Sequence, residues 1–290
     1  MTKNEFRQLA DRGVILLDGA TGSNLRLAGM PVGVCAEQWI AEHPRPLQAL
    51  QRAYVDAGSQ IVYASTFSAN RIGLRHFGLE DRVEDLNTRL VQISKEAVGN
   101  RALVAGDLTT IGQPLQPAGD VSYRELFDVY CQQIEVLAGA GADLLVAETL
   151  MGVEEAVAAM DAANAVCSLP ILCTLTVAAD GACLYGGTAE EAVKALQEMG
   201  AAAVGINCSL GPDQLESVVR TMCRAANIPV VVKPNAGIPA INERGEAIYD
   251  MTPEDFVRHM KHLIALGARI VGGCCGTTPD YICRLSAALR

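Results

Sequence analysis

The sequence predicts an α/β protein, a (β/α)8 TIM barrel, on three observations. A unit recurs in which a helical pattern ends at a glycine and a short apolar run follows; the helices that come next carry start signals; and the apolar runs number eight. Eight βα units in 290 residues match the barrel's requirement, whereas a doubly wound sheet more often has fewer strands.

A short helix is expected in the polar opening MTKNEFRQLADRG, before a first strand at 14–17. The remaining strands are expected at 60–64, 102–106, 143–147, 170–174, 202–206, 229–232 and 269–272. Gly58, Gly141, Gly200 and Gly267 precede the runs IVYAS, DLLVAE, AAAVGIN and RIVGG. A glycine just past a helix end supplies the left-handed cap, and runs rich in Val, Ile, Leu and Ala read as strands buried on both faces. Helix starts are signalled by Thr188 with Glu191, Thr252-Pro253 with Asp255, Gly211-Pro212 and Thr278-Pro279. Leu126, Val129, Tyr130, Ile134 and Leu137 share one helix face, as do Leu215, Val218, Val219 and Met222.

A net charge of -10 offers no basic surface to phosphate backbones or anionic lipid, which argues against nucleic acid and membrane as partners. The opening contains acids, unlike a targeting peptide, and no uncharged apolar run approaches the ~18 residues that span a bilayer. A cytoplasmic location is therefore expected, where the ten cysteines stay reduced and those with a task bind metal or react. Cys131, Cys167, Cys223 and Cys283 fall in helical patterns and read as small core residues.

In a barrel of this kind, chemistry sits at the C-terminal ends of the strands. Asp18, Ser65-Thr66, Asp107, Glu148-Thr149, Thr174, Thr176, Asn207-Cys208, Asn235 and Cys274-Cys275 collect there. A single strand-end cysteine is more often packing than ligand. The adjacent pair Cys274-Cys275, flanked by Gly272, Gly273 and Gly276, reads differently when Cys208 at the sixth strand is added, because strands six and eight lie on one side of the ring. Three thiolates with an open fourth corner are a catalytic zinc pattern, and the four histidines (His43, His76, His259, His262) fall in loops or helices. Zinc with three thiolates carries a formal charge of -1 and is a poor Lewis acid. It suits deprotonating a thiol that enters the open position, leaving an electron-rich sulfur to attack an electrophilic carbon such as a methyl group.

Six motifs stand in order: LLDGATGSNL (16–25), STFSAN (65–70), AETL (147–150), GINCSLGP (205–212), KPNAGIP (233–239) and VGGCCGTTPDYI (271–282). Together they are similar to the zinc-dependent homocysteine S-methyltransferases, above all to the homocysteine-binding barrel of cobalamin-dependent methionine synthases, over nearly the whole chain. The resemblance implies a TIM barrel over 1–290, Zn2+ held by Cys208, Cys274 and Cys275, and homocysteine as substrate in methionine biosynthesis. It places the amino acid end of homocysteine at Glu148 and at Asp18 with Gly19. The residues are compatible: a carboxylate such as Glu148 suits an ammonium, and backbone N–H groups from Gly19 through Ala20 to Ser23 suit a carboxylate. Ser65, Thr66 and Asn235 join the expected substrate-binding set, with Asn235 also an ordinary turn residue. Thr21 and Ser23 stand where the family commonly has methionine and threonine, which bears on substrate preference.

The methyl donor is either a methyl-corrinoid such as methylcobalamin, carried by a partner protein or domain, or a small compound such as betaine or S-methylmethionine. The chain is too short for a second large domain after the barrel. Quaternary ammonium recognition recruits an aromatic cage, and of one tryptophan (Trp39), five phenylalanines and seven tyrosines only Phe67 and Tyr185 fall at strand ends, which favours the corrinoid. The alternative of another class is a non-catalytic zinc-binding scaffold.

Overall fold

The computed structural model describes residues 1–241 and 247–289. Seven parallel strands come first: β1 (Ile15–Leu16), β2 (Ile61–Tyr63), β3 (Leu103–Thr109), β4 (Leu144–Leu150), β5 (Ile171–Leu175), β6 (Ala203–Cys208) and β7 (Val230–Pro234). A small antiparallel hairpin, β8 (Ala240–Ile241) with β9 (Ala247–Ile248), precedes the last barrel strand, β10 (Ala268–Val271). The sheet order is β1-β10-β7-β6-β5-β4-β3-β2. A parallel bridge from Leu17 to Ile61, with Gln60 N donating to Leu16 O at 2.7 Å, closes the ring. The eight predicted strands and their order around the barrel are as expected, and the hairpin is the addition.

The helix-end glycines behave as predicted: Gly58, Gly141, Gly200 and Gly267 have φ of 114°, 92°, 86° and 125°, in the region that favours glycine. Thr188 and Glu191 form a capping box, and the Thr252 side chain accepts from Asp255 N. The opening helix, Lys3–Asp11, has its own capping box from Thr2 and Glu5. Gly211-Pro212 starts a single 3-10 turn, and the α-helix follows at Glu216–Ala225.

Alternation along the strands sorts two cores. Leu16, Val62, Val104, Leu145, Val204 and Val232 face the surrounding helices, while Leu17, Ile61, Ala105, Val146, Val231 and Ile270 fill the barrel with Phe6 of the opening helix beneath them. β3, β4, β6 and β7 run two or three residues past their predicted ends. The prediction stopped at the first polar side chain, but the backbone ladder continues because those polar groups face the barrel mouth rather than a loop.

Candidate active site and metal centre

The inward columns identify the site. Two residues beyond Ala105, Val146, Leu172, Gly205 and Val231 stand Asp107, Glu148, Thr174, Asn207 and Lys233, all buried. They line or support a cavity of about 450 Å³ at the mouth, whose walls include Asp18, Gly19, Ala20, Thr21, Gly22 and Ser23 after β1, Ser65 and Phe67 after β2, and the three predicted cysteines.

The sulfur atoms of Cys208, Cys274 and Cys275 all lie within 4.8 Å of one another, with Cys208 and Cys275 3.9 Å apart. Zinc at ~2.3 Å from each of three thiolates in tetrahedral geometry needs sulfur pairs separated by about 3.8 Å, so the tripod fits that ion. Alternation would send Cys208 outward after Asn207. Its φ of 59°, and 47° at Ser209, depart from strand geometry there. Cys274 and Cys275 occupy a turn pinned on both sides: Cys274 N donates to Pro234 O at 2.7 Å, Ala236 N donates to Cys275 O at 2.9 Å, and the Thr277 hydroxyl donates to Cys274 O at 2.7 Å. Hydrogen bonds from the Cys208 and Cys274 thiols, with one from Tyr249, hold Cys275 down at about 3, and sharing with its neighbours raises Cys208.

The flanking glycines make room for neighbouring protein. A Cβ at Gly276 would lie 2.3 Å from the Tyr249 ring, which stacks over the turn, and one at Gly272 would lie 2.7 Å from Asp18 O.

The acids sit deeper. Asp18 accepts from Tyr63 N at 2.8 Å through Oδ2 and lies 3.4 Å from Lys233 Nζ through Oδ1. Lys233 also sits 4.7 Å over the Tyr63 ring. Burial pushes the Asp18 carboxyl up despite that ammonium, and it pushes Glu148 up to about 8. Burial, then the neighbouring Glu148, drives Asp107 well above the carboxylate range. Burial works against charge on Lys233, but Glu148 and Asp18 outweigh it and keep the ammonium.

Asn207 is the hub beside these groups. Its Nδ2 donates to Glu148 Oε2 at 3.2 Å and to Thr149 Oγ1 at 2.8 Å, and its Oδ1 accepts from Thr149 N at 2.7 Å and from the Thr174 hydroxyl at 2.8 Å. This bonding holds Thr149 at a φ of 60°, rare for a β-branched residue.

A family described as homocysteine S-methyltransferase matches residues 15–289. The chain belongs to that family. It is 30% identical over 299 residues to a methionine synthase of Mycobacterium leprae and 29% identical over 294 residues to one of Mycobacterium tuberculosis. Those alignments cover 97% and 95% of this chain but 24% of each relative, so the chain spans about a quarter of their length. Among solved structures, the metallated form of the homocysteine methyltransferase MmuM from Escherichia coli superposes with a TM-score of 0.84 at 24% identity, covering 98% of this chain and 99% of that one. Its oxidised form superposes at 0.80 and 23% identity, over 95% and 96%. These superpositions bear on the fold.

Within the family's motifs, not every expected substrate residue faces the cavity. Glu148, Asp18, Gly19, Ala20, Ser23 and Ser65 line it. Ala20 N is already committed to the Thr277 hydroxyl at 3.1 Å, which removes one donor from the expected anion cradle. The Thr66 hydroxyl donates to Asp107 O at 2.7 Å and accepts from Asp107 N at 3.0 Å, so it holds Asp107 in place. Asn235 stands outside the cavity wall, with Nδ2 donating to Ser209 O at 3.5 Å. Of the two cage candidates, Phe67 lines the cavity and Tyr185 donates to Gly112 O at 2.9 Å elsewhere; Trp39 stacks on His43.

The sequence reading placed Asp107 and Asn207 at strand ends and Lys233 within a motif but gave none of them a part in binding. A two-residue step from each inward apolar position would have found them. Tyr249 had no such signal, since it reaches Cys275 from beyond the hairpin.

Proposed function

We propose that this chain binds homocysteine with its sulfur at the cysteine tripod and presents that sulfur to a methyl group carried by a corrinoid module, yielding methionine. One observation carries the reading: three sulfur atoms within 4.8 Å of one another open onto the cavity that also holds buried Glu148 and Asp18. Cys208, Cys274 and Cys275 would hold Zn2+, which when bound supplies the charge that keeps a substrate thiol deprotonated.

The chain's own residues do the rest. Glu148 and Asp18 bind the amino acid end, the Asn207 hub fixes Glu148 and the Cys208 segment relative to each other, and Leu25, Met30, Ile40 and Phe67 exclude water from the cavity. The substrate sulfur attacks the methyl carbon in line, forming the S–C bond as the bond to the donor breaks and its electron pair leaves on the donor. Alignment in a dry site is the main lever for such a step.

Support for a protein-borne donor comes from the rim. The exposed large apolar side chains among the described residues, Leu27, Val32, Val34, Phe77, Leu184, Ile238, Ile241 and Ile248, all lie in the segments that lead from a barrel strand to the next barrel helix, Leu27 at the end of a short helix and Ile241 and Ile248 in the β8–β9 hairpin. Val34 and Phe77 of this set line the cavity itself, and exposed apolar surface beside a site suits a docking face. The methionine synthase relatives are about four times longer than the matched segment, which accords with further modules visiting the mouth. A cytoplasmic setting accords with ten free cysteines.

X-ray absorption at the zinc edge tests the acceptor: three sulfur ligands should rise to four when homocysteine is added, and an unchanged count would favour the scaffold reading. Single-turnover methionine formation with methylcobalamin, betaine and S-methylmethionine side by side tests the donor. Turnover with a small donor and none with methylcobalamin would replace the corrinoid.

A further inference from the structure

The cavity contains hydrogen-bonding capacity that the fold leaves unused. Lys233 is 4% exposed and carries three N–H donors. Its charged contact among the described residues is Asp18 Oδ1 at 3.4 Å, long for a hydrogen bond, and the Tyr63 ring face accepts none of the three donors in full. Asp107 is likewise 4% exposed, and its Oδ1 has no hydrogen-bond partner; neither does Asp18 Oδ1. Buried charges are retained where something pairs with them, because leaving them unpaired is costly.

The unused groups are also arranged in space. Asp107 on β3 and Glu148 on β4 come from paired strands, in register through Asp107 with Val146 and Thr109 with Glu148, so two carboxyl groups flank one side of the cavity. Lys233 on β7 lies beside Asp18 at the foot of the 19–23 loop, where the cavity meets backbone N–H groups. Lys233 is in contact with Asp18, whereas Asp107 Oδ1 has no partner and lines the same cavity as Glu148. A pair of carboxyl groups that can ionise against an incoming cation and a buried ammonium on the wall of one cavity match an α-amino acid zwitterion.

We propose that Lys233 and Asp107 are specificity-determining residues of this site: Lys233 takes the α-carboxylate of the acceptor thiol, and Asp107, beside Glu148, takes its α-ammonium. The inference rests on the reading that the acceptor is a thiol amino acid and adds two residues to its recognition. Thr66, which clamps the backbone N–H and C=O of Asp107, is then a positioning residue.

Isothermal titration of the zinc-loaded protein with three thiols tests this without any methyl donor: homocysteine, 3-aminopropane-1-thiol (no carboxylate) and 4-sulfanylbutanoate (no ammonium). The native protein should bind homocysteine roughly tenfold to a hundredfold more tightly than either analogue, the range expected for a lost hydrogen bond to a charged group. Lys233→Met should weaken homocysteine and 4-sulfanylbutanoate while leaving 3-aminopropane-1-thiol unchanged. Asp107→Asn should weaken homocysteine and 3-aminopropane-1-thiol while leaving 4-sulfanylbutanoate unchanged. Equal weakening of all three thiols, or of none, would overturn the assignment. Lys233→Gln repeats the test should the methionine variant not fold, and the ranking of the three thiols by the native protein needs no variant at all. If the native protein binds all three alike, this inference fails while thiol binding stands; if it binds none, the acceptor reading itself has failed.

Discussion

The two ends of the barrel are built from the same eight strands and could hardly differ more. At the N-terminal end, Phe6 and Ala10 of the opening helix close a plug with Ile15, Leu17, Ile61 and Ile270, all apolar and within a tenth of full burial. At the C-terminal end the same columns continue into Asp107, Glu148, Asn207 and Lys233. Buried oxygens without partners occur there on Asp18, Asp107 and Asn235, and the non-glycine residues with positive φ, Thr149, Cys208 and Ser209, are there too. One end gains stability from apolar burial, and the other holds strained and under-bonded groups in place because the first end is secure.

Three substitutions would break or sharpen that contrast. The largest effect is expected from Cys274→Ala, which should reduce bound zinc and methyl transfer to background while leaving the thermal unfolding of the metal-free chain nearly unchanged. Zinc analysis beside calorimetry checks this, and full zinc occupancy would remove Cys274 from the ligand set. Phe6→Ala should do the reverse, costing about 3–5 kcal/mol of stability in urea titration with zinc affinity unaltered. A parallel fall in zinc affinity would mean that the two ends are coupled.

Glu148→Gln should have an effect confined to part of the pH range. The folded protein holds a proton on Glu148 up to about 8, whereas the reference value is 4.5. Between those limits the folded state binds more protons than the unfolded state, so this group's contribution is fully present below pH 4.5 and is lost as pH rises through 8. Measured by urea titration at pH 5 and pH 8, the metal-free native chain should lose stability relative to the glutamine variant over that interval. Parallel behaviour of the two would show that Glu148 is not held protonated.

Much of this architecture is legible before folding. Glycine after a helical pattern has one common use, the left-handed cap, so Gly58, Gly141, Gly200 and Gly267 mark strand starts directly. Strand ends are less legible: a polar residue such as Asp107 looks like the beginning of a loop when it is an inward position of a strand still paired with β4 and held on its other side by the Thr66 hydroxyl. The cysteine tripod is legible in residue type and strand position. Tyr249 against Cys275 is not, because the contact depends on the course of the loop after β7, and the Gly276 that admits the ring looks like any turn glycine.

The sequence by itself determined the eight-strand barrel, the end at which chemistry collects and the identity of the three sulfur residues, because local periodicity and caps are written in neighbouring residues. Only the tertiary structure decided which groups meet. It turned Cys208 out of strand alternation, spent the Thr66 hydroxyl on the Asp107 backbone and the Ala20 N–H on the Thr277 hydroxyl, and brought Lys233 to 3.4 Å from Asp18. These contacts join residues far apart in the chain, and their distances depend on barrel closure, which no local stretch encodes.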